Sequence, residues 1–319
     1  MSVLVVNVKG KEWLPKLLLS LASSSFRDFE VVVVDDREWG QGEKGDMRLK
    51  VVKVEVDRGL AHCRNLAAEN SQGRLLLFLD NDVEVESNTL AEFVRAAGEG
   101  DIIQLSIVRE DGSIDALGGL VDEMGYPVEI GRGESRLDVH RPPLYAKGAA
   151  FGMTRDLFNR VGGFDPVYFY GYDETDFCYR ARRMGFGVKV LTEARVVHHE
   201  HGSFSAFRKE RKYRLVFFLE SRRLYFVLKN FSAPMLLRVL PRLTLHYLGS
   251  MAKDLLVRRD VTLFRGRAKA LLWISISLPR VIMERLRLRR IEFPVGEREL
   301  MERGLILRRS ALSRVSQTS

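Results

Sequence analysis

The chain has 319 residues, of which 46% are apolar and 29% charged, so it can bury a sizeable core as one large domain or as a domain with an appendage. Its two cysteines, Cys63 and Cys178, are too few and too far apart for a disulfide framework, and no run of about 18 apolar residues exists to form a spanning helix. The net charge of +9 is unevenly spread: Phe204 to the C-terminus holds 26 Lys and Arg against 9 Asp and Glu, and Met1–Ser203 holds the remaining 25 against 33. An acidic first part and a strongly basic last part point to two regions with different partners, the basic one favouring an anionic surface.

Ser2–Val8 is a short β-branched strand ending at Asn7-Val8-Lys9-Gly10. Its flanks lack the basic and long apolar regions of a secretory signal, and a reducing cytoplasm is the expected compartment. Trp13–Ser23 has Leu14, Leu17, Leu18 and Leu21 at helical spacing, with Pro15 tolerated in the first turn. Phe29–Val34 is a second strand and ends in Asp35-Asp36; Val51–Val56 is a third, followed by Asp57-Arg58-Gly59; Leu60–Asn70 is helical. Leu75–Val83, LLLFLDNDV, then runs apolar through Leu79 before Asp80, Asn81 and Asp82. A run of this kind is a buried strand of a parallel sheet, and ligands of open α/β sheets bind beyond the carboxyl ends of such strands. Two carboxylates one residue apart at that edge can hold a divalent cation, and the cation a diphosphate. A helix cap needs one acid, not two flanking an Asn.

The strand–helix rhythm continues with a helix ending at Val94–Ala97 and a strand at Asp101–Val108. Asp111–Pro143 is a loop-rich insertion with a few short strand-like pieces, suited to substrate contacts. Lys147–Gly152 is small and expected to be flexible, allowing a ligand close to the backbone. Arg155–Val161 is a short helix followed by Gly162-Gly163-Phe164-Asp165. In Tyr168–Arg180, Phe177, Arg180, Ala181 and Met184 recur at helical spacing, which puts Asp173, Glu174 and Asp176 at a helix N-terminus. Acids there complement the helix dipole, but the aromatic run Tyr168–Tyr172 that delivers them suggests a sugar-binding platform. Lys189–Val197 is a strand ending in His198-His199-Glu200-His201. Imidazole is a common metal ligand, and alternation places His199 and His201 on one face and His198 on the other.

After Phe204, Arg208–Arg214 is a charge cluster, and Leu215–Phe231, Met235–Leu248 and Leu271–Ile282 are helices rich in Leu, Ile, Trp and Phe with Arg at regular steps. Pro234, Pro241 and Pro279 mark starts or kinks. Basic amphipathic helices of this composition lie at membrane interfaces, the alternative being a solvated appendage whose Arg stems cover its own core. Ser310–Ser319 is polar and expected to be disordered.

The ordered set of Asp36, Gly59-Leu-Ala-His-Cys-Arg64-Asn65, Leu79-Asp80-Asn81-Asp82-Val83, Gly162-Gly163-Phe164-Asp165, Asp173-Glu174-Thr175-Asp176 and His198 resembles family 2 inverting glycosyltransferases of GT-A fold, most closely their rhamnosyltransferase-like branch. The resemblance covers about residues 2–205. It implies a Rossmann-like, mostly parallel sheet flanked by helices over residues 1–205, with a nucleotide-binding half to about residue 100 and an acceptor half beyond it, followed by a basic, mostly helical, membrane-associating region at 206–319. By the same resemblance Asn7, Asp36, Arg64, Asn65, Asp80 and Asp82 face the donor, with Asp36 at the nucleotide base. Asp82 and His198 hold Mg²⁺ or Mn²⁺, and Gly163, Phe164, Tyr172 and Asp176 lie on the acceptor side. The family's acidic pair is usually Glu-Asp, its second member deprotonating the acceptor hydroxyl. Here it is reversed, so both Glu174 and Asp173 are candidates for the base. The Asp35-Asp36-Arg37-Glu38 turn also departs from the family's small or Ser-containing one.

The implied partners are a nucleotide-sugar donor, a glycan or lipid-linked acceptor and an anionic membrane surface, with no nucleic acid. The basic helices leave a homodimer open as well. The implied location is peripheral, at the cytoplasmic face of a membrane. Two other readings compete. A nucleotidyltransferase would open on a Gly-rich basic phosphate loop, of which Lys9-Gly10-Lys11 is a faint version. A nucleic-acid-binding protein would use the basic tail, whose Leu, Ile and Trp content fits an apolar interface better than a groove.

Overall fold

The computed structural model describes residues 1–8, 13–37, 42–44, 47–98, 100–135, 141–199 and 208–308. The first half alternates strand and helix: β1 (Ser2–Val6), α1 (Leu14–Ala22), β2 (Glu30–Asp35), β3 (Gly42–Lys44), β4 (Met47–Lys53), α2 (Leu60–Glu69), β5 (Leu75–Asp80), β6 (Val83–Val85) and α3 (Thr89–Ala96). β7 (Asp101–Val108), β8 (Ile114–Ala116), β9 (Gly119–Asp122), β10 (Pro127–Glu129), β11 (Ala150–Thr154), α4 (Arg155–Val161), α5 (Asp173–Arg183) and β12 (Gly187–His198) follow. The C-terminal part is α6 (Arg208–Asn230), α7 (Ala233–Leu256), α8 (Val261–Leu288), α9 (Glu297–Glu302) and β13 (Ile306–Leu307).

The apolar strands are buried on both faces, and their alternation serves two cores. Val3, Val5, Val31, Val33, Leu77 and Leu79 pack with α1 and α3 on one side, and Leu4, Val32, Val34, Leu76 and Phe78 with α2, α4 and α5 on the other. The main sheet runs β3-β4-β2-β1-β5-β11-β7-β12-β6, with β8 added to β7. β4, β2, β1 and β5 are parallel, as are β7 and β12. β11 lies antiparallel between β5 and β7, so the sheet is mixed.

β11 corrects the expectation of a flexible Lys147–Gly152: from Ala150 onward the segment is a buried central strand. Its small residues serve packing. A Cβ at Gly152 would lie 2.4 Å from the Phe93 ring of α3 and 2.6 Å from the Leu76 carbonyl oxygen. The loop-rich insertion likewise contains more order than its composition suggests, because β9 and β10 form a small sheet completed by β13 from the C-terminus.

The basic helices join the same core. Tyr225 and Phe226 of α6, and Phe231 just after it, cluster with Tyr168, Tyr172 and Tyr179, and with Met235, Val239 and Leu243 of α7 and Ile274 and Val281 of α8. Pro241 and Pro279 sit inside α7 and α8 rather than at their starts. No helix among the described residues is long and apolar enough to cross a membrane.

Candidate active site

β5 ends at the carboxyl edge of the sheet, and the polar residues after it collect there. Asp80 is its last residue, and Asp82 follows in the tight turn into β6. β6 pairs antiparallel with the end of β12, placing His198 opposite Val83. The His199 N–H donates to the Asp82 carbonyl at 3.0 Å, which closes the turn onto the strand. Asp80, Asp82 and His198 thereby each offer one ligand atom, all within 4.8 Å of one another. Asp82 is buried and Asp80 keeps about a third of its side chain exposed. Two carboxylates and one imidazole suit Mg²⁺ or Mn²⁺, with room left for oxygens of a ligand.

Behind His198 stands Asp115, a residue that the sequence reading passed over. Its carboxylate is 2.9 Å from His198 Nδ1, while His198 Nε2 lies 3.4 Å from Asp82. Burial alone would lower the imidazole pKa, but the hydrogen bonds to Asp115 and Asp82 outweigh it and push it up to about 10. Asp115 is itself buried on β8 and braced by Arg109 at 3.3 Å. A lone acid between Ile114 and Ala116, in a segment otherwise read as loop, was the available signal.

Arg64 joins this cluster to the start of α5. It is buried on α2 and donates to Asp173 at 2.6 Å, Asp80 at 3.1 Å and the Gly148 carbonyl at 2.7 Å. Burial opposes its charge, but Asp173, Asp80 and Glu174 together hold its pKa above the ordinary value. Two glycines permit this approach. A Cβ at Gly148 would fall 2.8 Å from the Arg64 guanidinium. Gly59, at φ +92°, starts α2 so close to Phe169 that a Cβ would lie 2.5 Å from its Cα.

The acidic pair is not symmetric. Asp173 is fully buried, with Oδ2 on Arg64 and Oδ1 without a partner. Glu174 stays partly exposed. Burial first, and Asp173 beside it second, raise the Glu174 carboxyl well above the usual range against the pull of Arg64. Burial likewise raises Asp80, with Asp82 adding to it and Arg64 and His198 opposing.

Other expected site residues are placed differently. Asn7 is buried at the edge of the cluster, donating to Asp35 at 2.6 Å and accepting from Asn81 at 2.7 Å. Asp36 is exposed, while Asp35 beside it is buried and bonded to Arg37. Asn65 turns away from the cluster: its amide donates to the Phe164 carbonyl at 2.8 Å and accepts from the Phe164 N–H at 2.9 Å. Gly163, at φ +67°, and the buried Phe164 therefore form a turn fixed by Asn65, with the Phe164 ring packed edge-on against Phe78.

In place of an open aromatic platform, Tyr168 and Tyr172 are buried. The Tyr172 hydroxyl donates to the Gly125 carbonyl at 2.9 Å, and Phe169 stacks on Phe218 of α6. Asp176 is also buried away from the cluster. It accepts from Tyr168, Arg180, Lys229 and Asn230 and fastens α5 to α6. His199 leaves the metal-ligand side, stacking on Trp13 at 4.2 Å and bonding Glu84 at 2.7 Å, as strand alternation requires. His201, Lys9-Gly10-Lys11, Glu38 and Ser310–Ser319 lie outside the described residues.

Known proteins resemble this chain in sequence and in fold. The family model "Glycosyl transferase family 2" matches residues 2–136. "O-antigen biosynthesis protein RfbC" of Myxococcus xanthus is 26% identical over 222 residues, covering 63% of this chain and 17% of that protein. "Uncharacterized protein y4gI" of Sinorhizobium fredii is 25% identical over 203 residues, 57% of this chain and 22% of that protein. The chain thus spans about a fifth of the length of these two relatives. "Low-salt glycan biosynthesis hexosyltransferase Agl10" of Haloferax volcanii is 22% identical over 217 residues, 63% of this chain and 67% of that protein. Among solved structures, GalNAc-T7 with UDP, GalNAc and Mn²⁺ superposes with a TM-score of 0.50 at 21% identity, covering 69% of this chain and 50% of that one, a likeness of fold. The chain has a GT-A fold, and its residues 2–136 are similar to the glycosyl transferase family 2 domain.

Proposed function

We propose that this chain is an inverting, metal-dependent glycosyltransferase. It moves a sugar from a nucleotide-sugar donor to a hydroxyl of a glycan or lipid-linked acceptor in cell-surface polysaccharide or glycoconjugate synthesis. The observation that carries the proposal is the convergence of Asp80, Asp82 and His198 at the carboxyl end of β5, joined through Arg64 to a carboxylate pair at the N-terminus of α5. The family match and the names of relatives in O-antigen and glycan biosynthesis support the reading. The ordered motifs favour a hexosyl or rhamnosyl donor. The glycosyltransferase match favours this reading over a nucleotidyltransferase or a nucleic-acid-binding protein.

Asp80, Asp82 and His198 would hold the divalent cation, which when bound supplies a Lewis acid for the donor diphosphate. The rest falls to the chain's own groups. Asp115 holds the His198 ring so that Nε2 faces Asp82. Arg64 keeps Asp80 and Asp173 together without mutual repulsion. Asp173 is fully buried and committed to Arg64, so it is a positioning residue. Glu174 is accessible and more basic than an ordinary carboxylate, which fits the general base. It takes the acceptor hydroxyl's proton as that oxygen bonds to the anomeric carbon. The bond from that carbon to the diphosphate breaks from the opposite face, and the electron pair leaves with the nucleoside diphosphate. Asn7 and Asp36 remain at the donor edge, whereas Asn65, Gly163, Phe164, Tyr172 and Asp176 act by holding the walls in place.

The test is transfer of labelled sugar from UDP-, GDP- and dTDP-sugars to an extracted lipid-linked glycan fraction. Wild-type chain should transfer from one donor class. Glu174→Gln should lose at least about a hundredfold in turnover with donor binding intact. Full turnover in that variant would remove Glu174 as the base.

A further inference from the structure

α7 and α8 each carry an apolar row that the fold does not use. The rows facing the core are Met235, Val239, Leu243 and Tyr247 on α7, and Gly266, Ala270, Ile274 and Val281 on α8. At 100° per residue, Leu237, Leu245 and Leu248 fall on the side of α7 away from its buried row. Leu272, Ile276, Met283 and Leu286 do the same on α8. These are deeply solvated positions: Leu237 and Leu245 are each 77% exposed, Leu272 61% and Ile276 72%. Two long aliphatic stripes of this kind exceed the scattered leucines of an ordinary surface and mark a contact site.

The charges beside the stripes say what covers them. α7 and α8 together carry nine Lys and Arg and two acids, Asp254 and Glu284. Asp254 is fully buried against Arg267 and Arg258, so it offers nothing outward. Arg238 borders the α7 stripe, Arg265 and Lys269 the α8 stripe, and Arg259 lies in the turn between the helices, all exposed, whereas Arg242 and Lys253 lie nearer the buried row of α7, with Arg242 3.7 Å from Glu123. A second copy of the chain docked by the same face would bring these cations against their own copies. A surface that takes up aliphatic side chains and presents anions around them is an anionic bilayer. Neither helix can cross it, so each would lie in the interface.

We propose that the outward faces of α7 and α8 dock this chain on an anionic lipid bilayer. Leu237, Leu245, Leu272 and Ile276 enter the headgroup boundary, and the flanking arginines and lysines meet lipid phosphates. Docking would hold the site beside a lipid-linked acceptor. That consequence rests on the proposed glycosyl transfer, but docking itself does not.

The experiment is co-sedimentation of the full chain with vesicles of phosphatidylcholine alone and of phosphatidylcholine with phosphatidylglycerol. The expected result is sedimentation with the anionic vesicles only, weakened by salt. A Leu245→Gln/Ile276→Gln variant should bind them about tenfold more weakly, with its unfolding temperature unchanged because both positions face solvent. Equal partitioning of wild type and variant would overturn the proposal, as would equal binding to neutral vesicles. So would a wild-type dimer that ignores vesicles and becomes a monomer in the variant by light scattering. Nucleotide binding is not read in this assay, so its failure and that of the proposed activity are separate results.

Discussion

Asp176→Asn separates a structural acid from a substrate-binding one. Asp176 is fully buried and accepts from Lys229 at 2.9 and 3.0 Å, Arg180 at 2.9 Å, Asn230 at 2.7 Å and the Tyr168 hydroxyl at 3.1 Å. Burial would raise its carboxyl, but Lys229 and Arg180 prevail and lower it from 3.8 to about 2. A displacement of that size is worth about 2 kcal/mol of folding stability above pH 4, lost as pH falls from about 4 through about 2. In Asp176→Asn, Lys229 retains Asp165 at 2.8 Å, and Arg180 retains the Val161 and Gly163 carbonyls, but each loses the buried charge of Asp176. The cost of breaking such a pair is about 3 kcal/mol, or roughly 6 °C in Tm for a chain of this size. Thermal and urea denaturation at neutral pH should show that loss, and the gap between wild type and variant should narrow by about 2 kcal/mol toward pH 2. An unchanged Tm together with a raised acceptor KM would refute the reasoning and return Asp176 to the acceptor side.

Asp115→Asn should weaken Mn²⁺ binding about tenfold by calorimetry, because the charge that orients and polarises His198 is removed; unchanged affinity would leave Asp115 as a mere partner of Arg109. The raised Glu174 carboxyl places the acid limb of the turnover–pH profile above the ordinary carboxylate range, and a limb centred near 4.5 would contradict it. The same group has a stability signature. The folded chain holds a proton that the unfolded chain releases near 4.5, so this contribution falls as pH rises, and Glu174→Gln should melt above wild type at about pH 8 with the gap closing toward 4.5. Gly59→Ala should lower Tm by several degrees, at a cost of about 2 kcal/mol, since φ is +92° and the added Cβ meets the Phe169 backbone at 2.5 Å. A variant as stable as wild type would show that the start of α2 can shift.

What the sequence disclosed follows from how each signal arises. Unbroken apolar runs ending in acids located β2 and β5, since a strand buried on both faces has no other way to be written. The Asp80–Asp82 spacing and the His198 strand end were local patterns, and the fold brings them together. The antiparallel insertion of β11 was hidden because small residues suit both a flexible loop and a strand pressed by Phe93, and only tertiary packing decides between them. The aromatic run Tyr168–Tyr172 and Asp176 looked like ligand contacts because only part of what satisfies them, Arg180 on Asp176, is near in sequence. Their partners, Lys229, Asn230, Tyr225 and Phe218, arrive about fifty residues later on α6. Asp115 was missed for a similar reason: its role exists only where β8 and β12 flank β7.

The central claim is that Asp80, Asp82 and His198 bind a donor nucleotide through a divalent cation. The most direct measurement is the thermal shift produced by UDP, GDP and dTDP, each with and without Mn²⁺, in wild type and in Asp82→Ala. The account predicts a stabilisation that requires both Mn²⁺ and one of the nucleotides in wild type and is lost in Asp82→Ala. A shift that persists in the variant, or that arises equally without metal, would contradict it.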